Sequence, residues 1–593
     1  MVKPLVIRLL RLQVWLVETL RPSELQSTLF WAGIVGLLGG LSSVFFRRAS
    51  SAFQWFLTQR SGDFVDVATD LPWWGRLLVP TAGGFLAGAV LYFGMRLTRG
   101  QSSTDYLEAI SLGDGVIRSR PSLVKSISSL LSIASGGSIG REGSMSQLGA
   151  WLASLVGRNA KFTTPRLRLM VACGGAAGIA AAYNAPIAGA LFVAEIVLGS
   201  IAMESFGPLI FASVVSTLTA RILLGPKPIF AIPPFLLVSA WELIPYLILG
   251  AVAGTAAPAF LRLLRTSEDI FSNLKCPVYL RLALGGLVTG AISIFLPEAW
   301  GNGYSVVSSI LQTEWLWQTL LAVLLCKVIA TAAMFGSGAV GGVFTPTLFV
   351  GAALGCLFGM PVHHFWPEGT ASPSAYALVG MGCLLAATTH APLMAILILF
   401  EMTLDYEIIL PLMLACVTSY YVSISFDRRS VYAESLKRKE PVEPMVPLSE
   451  MRVYSLMKPD PTSVPESARF SQIAQTFVGN RNNYLFVTSD GSQFSGAISL
   501  HDIKAYLNEA EISNLVTAFD LVHRDFPYVA QNATLTEALA KFSRHEGERL
   551  PVINDYEERK LIGSISKTDL LLTMAHGNTG PKQEETPVIA KAG

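Results

Sequence analysis

The chain is 593 residues long, more than one ordinary domain holds. Hydrophobic residues make up 51% of it and charged residues 15%, where a soluble domain carries about 25%. Its 44 lysines and arginines nearly balance 42 aspartates and glutamates, so the net charge of +2 gives no footprint for nucleic acid, and six cysteines standing singly argue against a disulfide framework or a zinc site.

The first 21 residues, MVKPLVIRLLRLQVWLVETLR, are basic and apolar and have no small-residue cleavage site behind them. They read as a basic amphipathic helix at the cytosolic membrane face, and residues 1–27 are assigned to it. Apolar segments follow at 29–46, 77–95, 169–182, 186–200, 206–224, 243–260, 281–296, 316–335, 347–360, 375–388, 391–403 and 408–426. Several fall short of the roughly 20 residues a membrane-crossing helix needs, and many are broken by Gly or Pro. The pattern predicts an all-α polytopic membrane domain over 28–426, built of tilted and half-spanning helices. Broken backbone is tolerated there only where protein or a wet cavity surrounds it.

That domain contains a repeat. GGAAGIAAAYNAPIAGALFVAE (174–195) resembles GMGCLLAATTHAPLMAILILFE (380–401) at an offset of 206, pairing Pro186 with Pro392 and Glu195 with Glu401. GREGSMSQLG (140–149) pairs with GVFTPTLFVG (342–351) at an offset of 202. Two copies of one unit point to a transporter-type fold with its site at the repeat interface; the sequence leaves open whether the copies are inverted.

A charged linker occupies 427–450. Behind it, GAISLHDI (496–503) matches GSISKTDL (563–570), and Val464 and Phe477 share the thirteen-residue separation of Val529 and Phe542. Short β-rich runs alternate there with amphipathic helices, which predicts a small α/β module in tandem, over 451–510 and 511–575. The polar tail 576–593 is expected to be disordered.

The chemistry is concentrated in SGGSIGREGSMSQLG (135–149). Arg141 and Glu142 stand there between Gly140 and Gly143 in a largely uncharged region. A carboxylate inside a membrane domain is costly and is a functional candidate by default. The glycines let backbone approach a ligand closely. The residues after Gly143 suit a helix start, whose free N–H groups carry roughly half a positive charge and bind anions. SGAVGGVFTPTLF repeats the device at Val343 and Phe344. A tight Gly-rich helix crossing explains the glycines but not the glutamate.

GREGS, NAPIAGALFVAE, GSGAVGGVFTP, THAPLMAILILFEMT and RSVYAESL, in that order along the chain, resemble motifs of the CLC chloride channel and antiporter family, and the two C-terminal repeats are similar to CBS domains. The likeness spans about 28–575. It implies a homodimer with one pore per subunit, a multi-pass protein of a bacterial inner membrane with both termini cytoplasmic, and transport of chloride. By position, Glu142 resembles the gating glutamate, Tyr432 the tyrosine whose hydroxyl donates to the central anion, and the amides of Val343 and Phe344 the second-half donors. Lys125 falls where the family often has a lysine supporting the pore. An interfacial anchor remains the other reading of Tyr432. In the CBS repeats, Ser499 with Asp502, and Ser566, Thr568 and Asp569, fall where the family binds the ribose of an adenine nucleotide, while a helix cap explains the same pattern.

The chain departs from the family at three places. Where the family's pore serine stands, residues 100–104 read GQSST, so Ser102 or Ser103 fits only with a small shift. Val340 replaces a proline. Ile196 occupies the position of the antiporters' internal proton-transfer glutamate. The expectation is a chloride channel gated by Glu142. Its rivals are a chloride/proton antiporter with another internal proton route, a CBS-regulated magnesium transporter, which would need more intramembrane carboxylates, and a nucleotide-sensing scaffold. No nucleophile–base constellation suggests an enzyme.

Overall fold

The structure is a computed structural model describing residues 24–98, 105–226, 229–230, 237–432, 451–459, 461–479, 483–489, 492–504, 516–543, 545 and 547–576. Ser102, Ser103, the amphipathic stretch over 1–21 and the tail beyond 576 lie outside the described residues. The chain divides into two units, Met1–Lys439 and Glu440–Gly593.

The first unit is helical. Its first half contains α1 (Glu24–Thr58), α2 (Phe64–Asp70), α3 (Trp73–Leu97), α4 (Tyr106–Ser111), α5 (Ser119–Ala134), α6 (Glu142–Asn159), α7 (Thr164–Tyr183), α8 (Pro186–Leu198) and α9 (Met203–Leu224). The second contains α10 (Leu243–Asn273), α11 (Val278–Phe295), α12 (Tyr304–Gln312), α13 (Trp317–Gly336), α14 (Phe344–Phe365), α15 (Pro373–Thr389), α16 (Pro392–Thr403) and α17 (Ile409–Phe426). Eight of these are long and apolar enough to cross a membrane, and α8, α15 and α16 are shorter apolar helices. All the apolar segments read from the sequence lie in or overlap helices. The sequence reading had no apolar segment for α5 or α6, because these two are rich in serine. Ser122, Ser126, Ser128, Ser129 and Ser132 of α5 are buried inside the protein. Hydropathy finds helices that face lipid, and these face other helices.

The repeat is visible in backbone conformation. α5–α9 recur in order as α13–α17. Gly136 and Gly338 turn with φ of 89° and 90°, and Asn184 and His390 end α7 and α15 in the left-handed region at 55° and 58°. In both halves a proline at the first position of the next helix restarts the chain, where its missing N–H and fixed φ cost nothing. Gly149 on α6 packs against the backbone of Gly174 on α7, and Gly351 on α14 against that of Gly380 on α15. A methyl group at any of the four would force the paired helices apart.

The second unit is α/β. β2 (Ser463–Pro465) pairs parallel with β3 (Tyr484–Thr488), which pairs antiparallel with β4 (Phe494–Ser499). β5 (Val529–Ala530), β6 (Arg549–Ile553) and β7 (Leu561–Ser566) repeat that order, and β1 (Lys458–Pro459) adds to the free edge of β7. Register shifts fall at Val487/Thr488 and at Val552/Ile553, equivalent points of the two modules. Val464, Phe477, Val529 and Phe542, the residues that announced the repeat, are all buried.

Candidate anion site

The loop before α6 turns at Gly136 and runs to Gly140, which pairs with its own repeat mate. The Gly140 N–H donates to the Gly342 carbonyl at 2.7 Å and the Gly342 N–H to the Gly140 carbonyl at 2.9 Å. This single antiparallel bridge brings the N-termini of α6 and α14 together head to head. Glu142, at the first position of α6, is only 2% exposed. Its Oε1 accepts from the N–H of Phe344 at 2.9 Å and of Thr345 at 3.2 Å, and its Oε2 lies 3.1 Å from the Thr345 hydroxyl. The carboxylate of one half therefore sits on the positive helix end of the other, where an anion would be held.

The donors to that carboxylate stand one residue beyond the expected pair. Val343 is the residue flanking the helix, α14 begins at Phe344, and Pro346 has no N–H to give, so Phe344 and Thr345 supply the bonds. α6 likewise begins at Glu142 rather than after Gly143, and the Gly140 N–H is taken by the bridge. Gly140 and Gly342 are glycines for a local reason: a Cβ at either would stand where the Glu142 carboxylate now is. Thr345 was missed in the sequence reading; its place three residues after Gly342, at the helix start, was the available signal.

One cavity opens on this point and a second lies beside it. One, of roughly 170 Å³, is lined by Lys125, Ser126, Glu142, Gly342, Val343 and Tyr432. The segment that delivers Tyr432 is tied down by Asp427, which pairs with Arg265 at 2.7 Å and Arg429 at 3.2 Å, and the Tyr432 ring stands edge-on to Phe192. The other cavity, of roughly 420 Å³, receives Arg141, whose guanidinium lies over Tyr304 at 5.2 Å. Arg141 and Tyr432 thus line different cavities. The Thr345 hydroxyl stands between the two, 3.1 Å from Glu142 Oε2 on the wall of the smaller and 3.4 Å from the Tyr304 hydroxyl on the wall of the larger.

A family model described as voltage gated chloride channel matches residues 83–424, and the CBS-domain model matches 453–509 and 518–576. The chain belongs to the CLC family. A ClcB-like chloride channel protein of Ralstonia nicotianae is 53% identical over 411 residues, 69% of this chain and 96% of that one. The voltage-gated ClC-type chloride channel ClcB of Escherichia coli is 41% identical over 409 residues, covering 68% and 97%. Among solved structures, that of a slow cyanobacterial Cl⁻/H⁺ antiporter superposes with a TM-score of 0.62 at 27% identity, covering 69% of this chain and 97% of that one.

In this CLC protein Glu195 and Glu401 are reciprocal helix caps. Glu401 accepts from the N–H groups of Ile187 and Ala188 at 2.9 and 2.8 Å, at the start of α8. Glu195 accepts from Leu393 and Met394 at 3.3 and 2.8 Å, at the start of α16. Ile196 follows Glu195 in a π-helical turn and packs against the apolar core.

In the CBS unit of this CLC protein both Ser-x-x-Asp patterns form helix caps. Asp502 accepts from the Ser499 N–H at 3.1 Å and meets His523 Nε2 at 2.9 Å, while Ser499 Oγ accepts from the His501 N–H at 3.0 Å. Ser566 Oγ accepts from the N–H of Thr568 at 3.2 Å and of Asp569 at 3.4 Å, and Asp569 pairs with Lys458 at 2.8 Å. A cleft of roughly 70 Å³ opens beside this pair, lined by Lys458, Thr462, Asn483, Tyr484, Glu548 and Arg549 among others.

Replacing Tyr432 with Phe is expected to leave the fold intact, since the Phe192 contact needs only the ring. Losing one neutral hydrogen bond to the anion costs on the order of 1 kcal/mol, a several-fold loss of anion selectivity. Bi-ionic reversal potentials measure it, and unchanged selectivity would return Tyr432 to the role of an anchor.

Proposed function

We propose that this multi-pass chloride transport protein of the CLC family is a channel, conducting Cl⁻ passively under the control of Glu142, with no covalent chemistry. The observation that carries the gating is the seat of the Glu142 carboxylate on the Phe344 and Thr345 amides. An anion held by those donors and the ionised carboxylate exclude each other. Passive conduction is supported by Ile196, which cannot hold a proton, and by the engagement of the adjacent Glu195 with α16. Successive residues of the π-helical turn point in different directions, so Glu195 does not replace an acid at 196. The expected result is chloride flux without proton movement. Proteoliposomes under an imposed chloride gradient are followed with an external pH electrode. Sustained uphill proton movement that is abolished by Glu142→Ala would make the protein an antiporter, the reading that the cyanobacterial neighbour favours.

The same proposal places a homodimer in a bacterial inner membrane with cytoplasmic termini and an adenine nucleotide as ligand of the CBS pair. Nucleotide binding requires Asp502 and Asp569 to exchange His523 and Lys458 for ribose hydroxyls. Calorimetry with ATP on the full-length protein is expected to show heat that disappears in the Asp502→Ala/Asp569→Ala double variant. Heat that persists in the double variant removes these aspartates from the site.

A further inference from the structure

The cavity lined by Arg141 and Tyr304 is richer in positive charge than passage of one chloride ion requires. Three arginines line it, Arg47 from α1, Arg141 from the loop before α6 and Arg221 from α9, against a single carboxylate, Asp63. Among the described residues none of the three arginines forms an ion pair. Arg221 donates its Nε to Asn184 at 2.7 Å and feels Glu401 only at longer range. The Arg141 Nε is buried without a hydrogen-bond partner, and Arg141 and Arg47 repel one another. Converging like charges with unspent donors are unfavourable unless an anion completes them. Guanidinium groups are planar forks that match the paired oxygens of an oxyanion, not a spherical halide. Asn302, Ser305 and Ser308 add neutral donors to the same wall. A volume of roughly 420 Å³ is many times the space of one water, about 30 Å³ in the liquid, which is also the scale of a chloride ion.

We propose that this cavity is a second anion site, separate from the one Glu142 contests, that takes a small multivalent oxyanion of the sulfate or phosphate type and, when filled, obstructs the approach of chloride to Glu142. The route of obstruction is short: Tyr304 lines the cavity, its hydroxyl lies 3.4 Å from the Thr345 hydroxyl, and that hydroxyl lies 3.1 Å from Glu142 Oε2. Of the three arginines Arg47 is the one to test, because Arg141 belongs to the loop that presents Glu142 and Arg221 fastens the end of α7 through Asn184.

The test uses the full chain in nanodiscs of neutral phosphatidylcholine, titrated calorimetrically with sodium sulfate and, separately, sodium phosphate at constant ionic strength. Saturable binding is expected. Arg47→Gln should weaken it about tenfold, the scale of one lost charge-assisted hydrogen bond, and Arg47→Lys less. Glu142→Gln should retain saturable oxyanion binding, tightened by the loss of a nearby negative charge, which separates this site from the gate and lets it stand or fall apart from the channel reading. Discs containing phosphatidylglycerol distinguish the source of the phosphate group: unchanged sulfate affinity there identifies a dissolved anion, and competition identifies a lipid headgroup on the same arginines. In proteoliposomes, sulfate on one face only should slow chloride efflux saturably where gluconate at equal ionic strength does not. Absence of saturable binding to the parent protein, or equal binding to the parent and Arg47→Gln, would overturn the proposal.

Discussion

Replacing Glu142 with glutamine is expected to leave chloride flux high and flat across pH, where the parent protein's flux rises as pH falls. The sign follows from the bonds. Ionised, the carboxylate accepts two N–H donors and faces one hydroxyl, and the N-terminus of α14 adds roughly half a positive charge beneath it. Hydrogen bonds to a charged group contribute about 1.5–3 kcal/mol each, about twice a neutral one. Acidification protonates the group, removes that advantage and yields the donors to chloride. Glutamine mimics the protonated state at every pH. Losing the charge on the two N–H bonds shifts the competition by about 1.5–3 kcal/mol, at least a tenfold gain in the anion's share of the site at neutral pH. Chloride efflux from proteoliposomes between pH 4.5 and 7.5 measures it. A Glu142→Gln variant whose flux still followed pH as the parent's does would mean that another group is the gate.

The largest effect on stability is expected from Glu401→Ala. Its carboxylate closes the N-terminus of α8, and Ala188, one of its two donors, is wholly buried. Two orphaned amides at about 1–3 kcal/mol each would remove a large fraction of a typical domain's stability. No water reaches such groups in the bilayer core to take the carboxylate's place. Thermal unfolding followed by tryptophan fluorescence should show a markedly lower midpoint for Glu401→Ala and a partial recovery for Glu401→Gln, whose side-chain oxygen still accepts one bond. A variant as stable as the parent would show that the α8 cap is dispensable.

Much of this architecture was legible in the sequence because it is written in period and spacing. The apolar runs marked apolar helices, those with exposed faces and the almost wholly buried α7 and α15 alike, and the two offsets marked the repeat down to the glycines that let α6 meet α7 and α14 meet α15. The site residue Glu142 was legible because a carboxylate among glycines in an uncharged region has no cheap structural explanation. What could not be read depends on geometry across the chain. α5 is polar enough to pass for a loop until its serines are seen buried between helices, and α6 was announced by its start alone. Glu195 and Glu401 were legible as repeat mates, but which amides they hold became visible only when each half was placed against the other. The gap between Val343 and Thr345 turns on where one helix begins, a one-residue matter decided by Pro346. The arginines of the larger cavity come from three distant segments, and no spacing connects them.

The bridge between Gly140 and Gly342 joins a residue to its own repeat mate, and the caps are exchanged in the same sense: Glu195 holds the amides of Leu393 and Met394, the repeat mates of the Ile187 and Ala188 that Glu401 holds. Contacts of this kind are isologous, the kind by which two copies of one chain assemble about a two-fold axis. A single ancestral half could therefore have built the same centre by pairing with itself. Yet a symmetric pair would have carried its gate twice. The repeat mate of Glu142 is Phe344, which offers its amide to the carboxylate and brings no acid of its own. With a glutamate at both positions, two like charges would meet at one set of donors and could not both be ionised there. Fusing the halves let one position change without the other, and a single proton could then decide whether the site holds its own carboxylate or a passing anion.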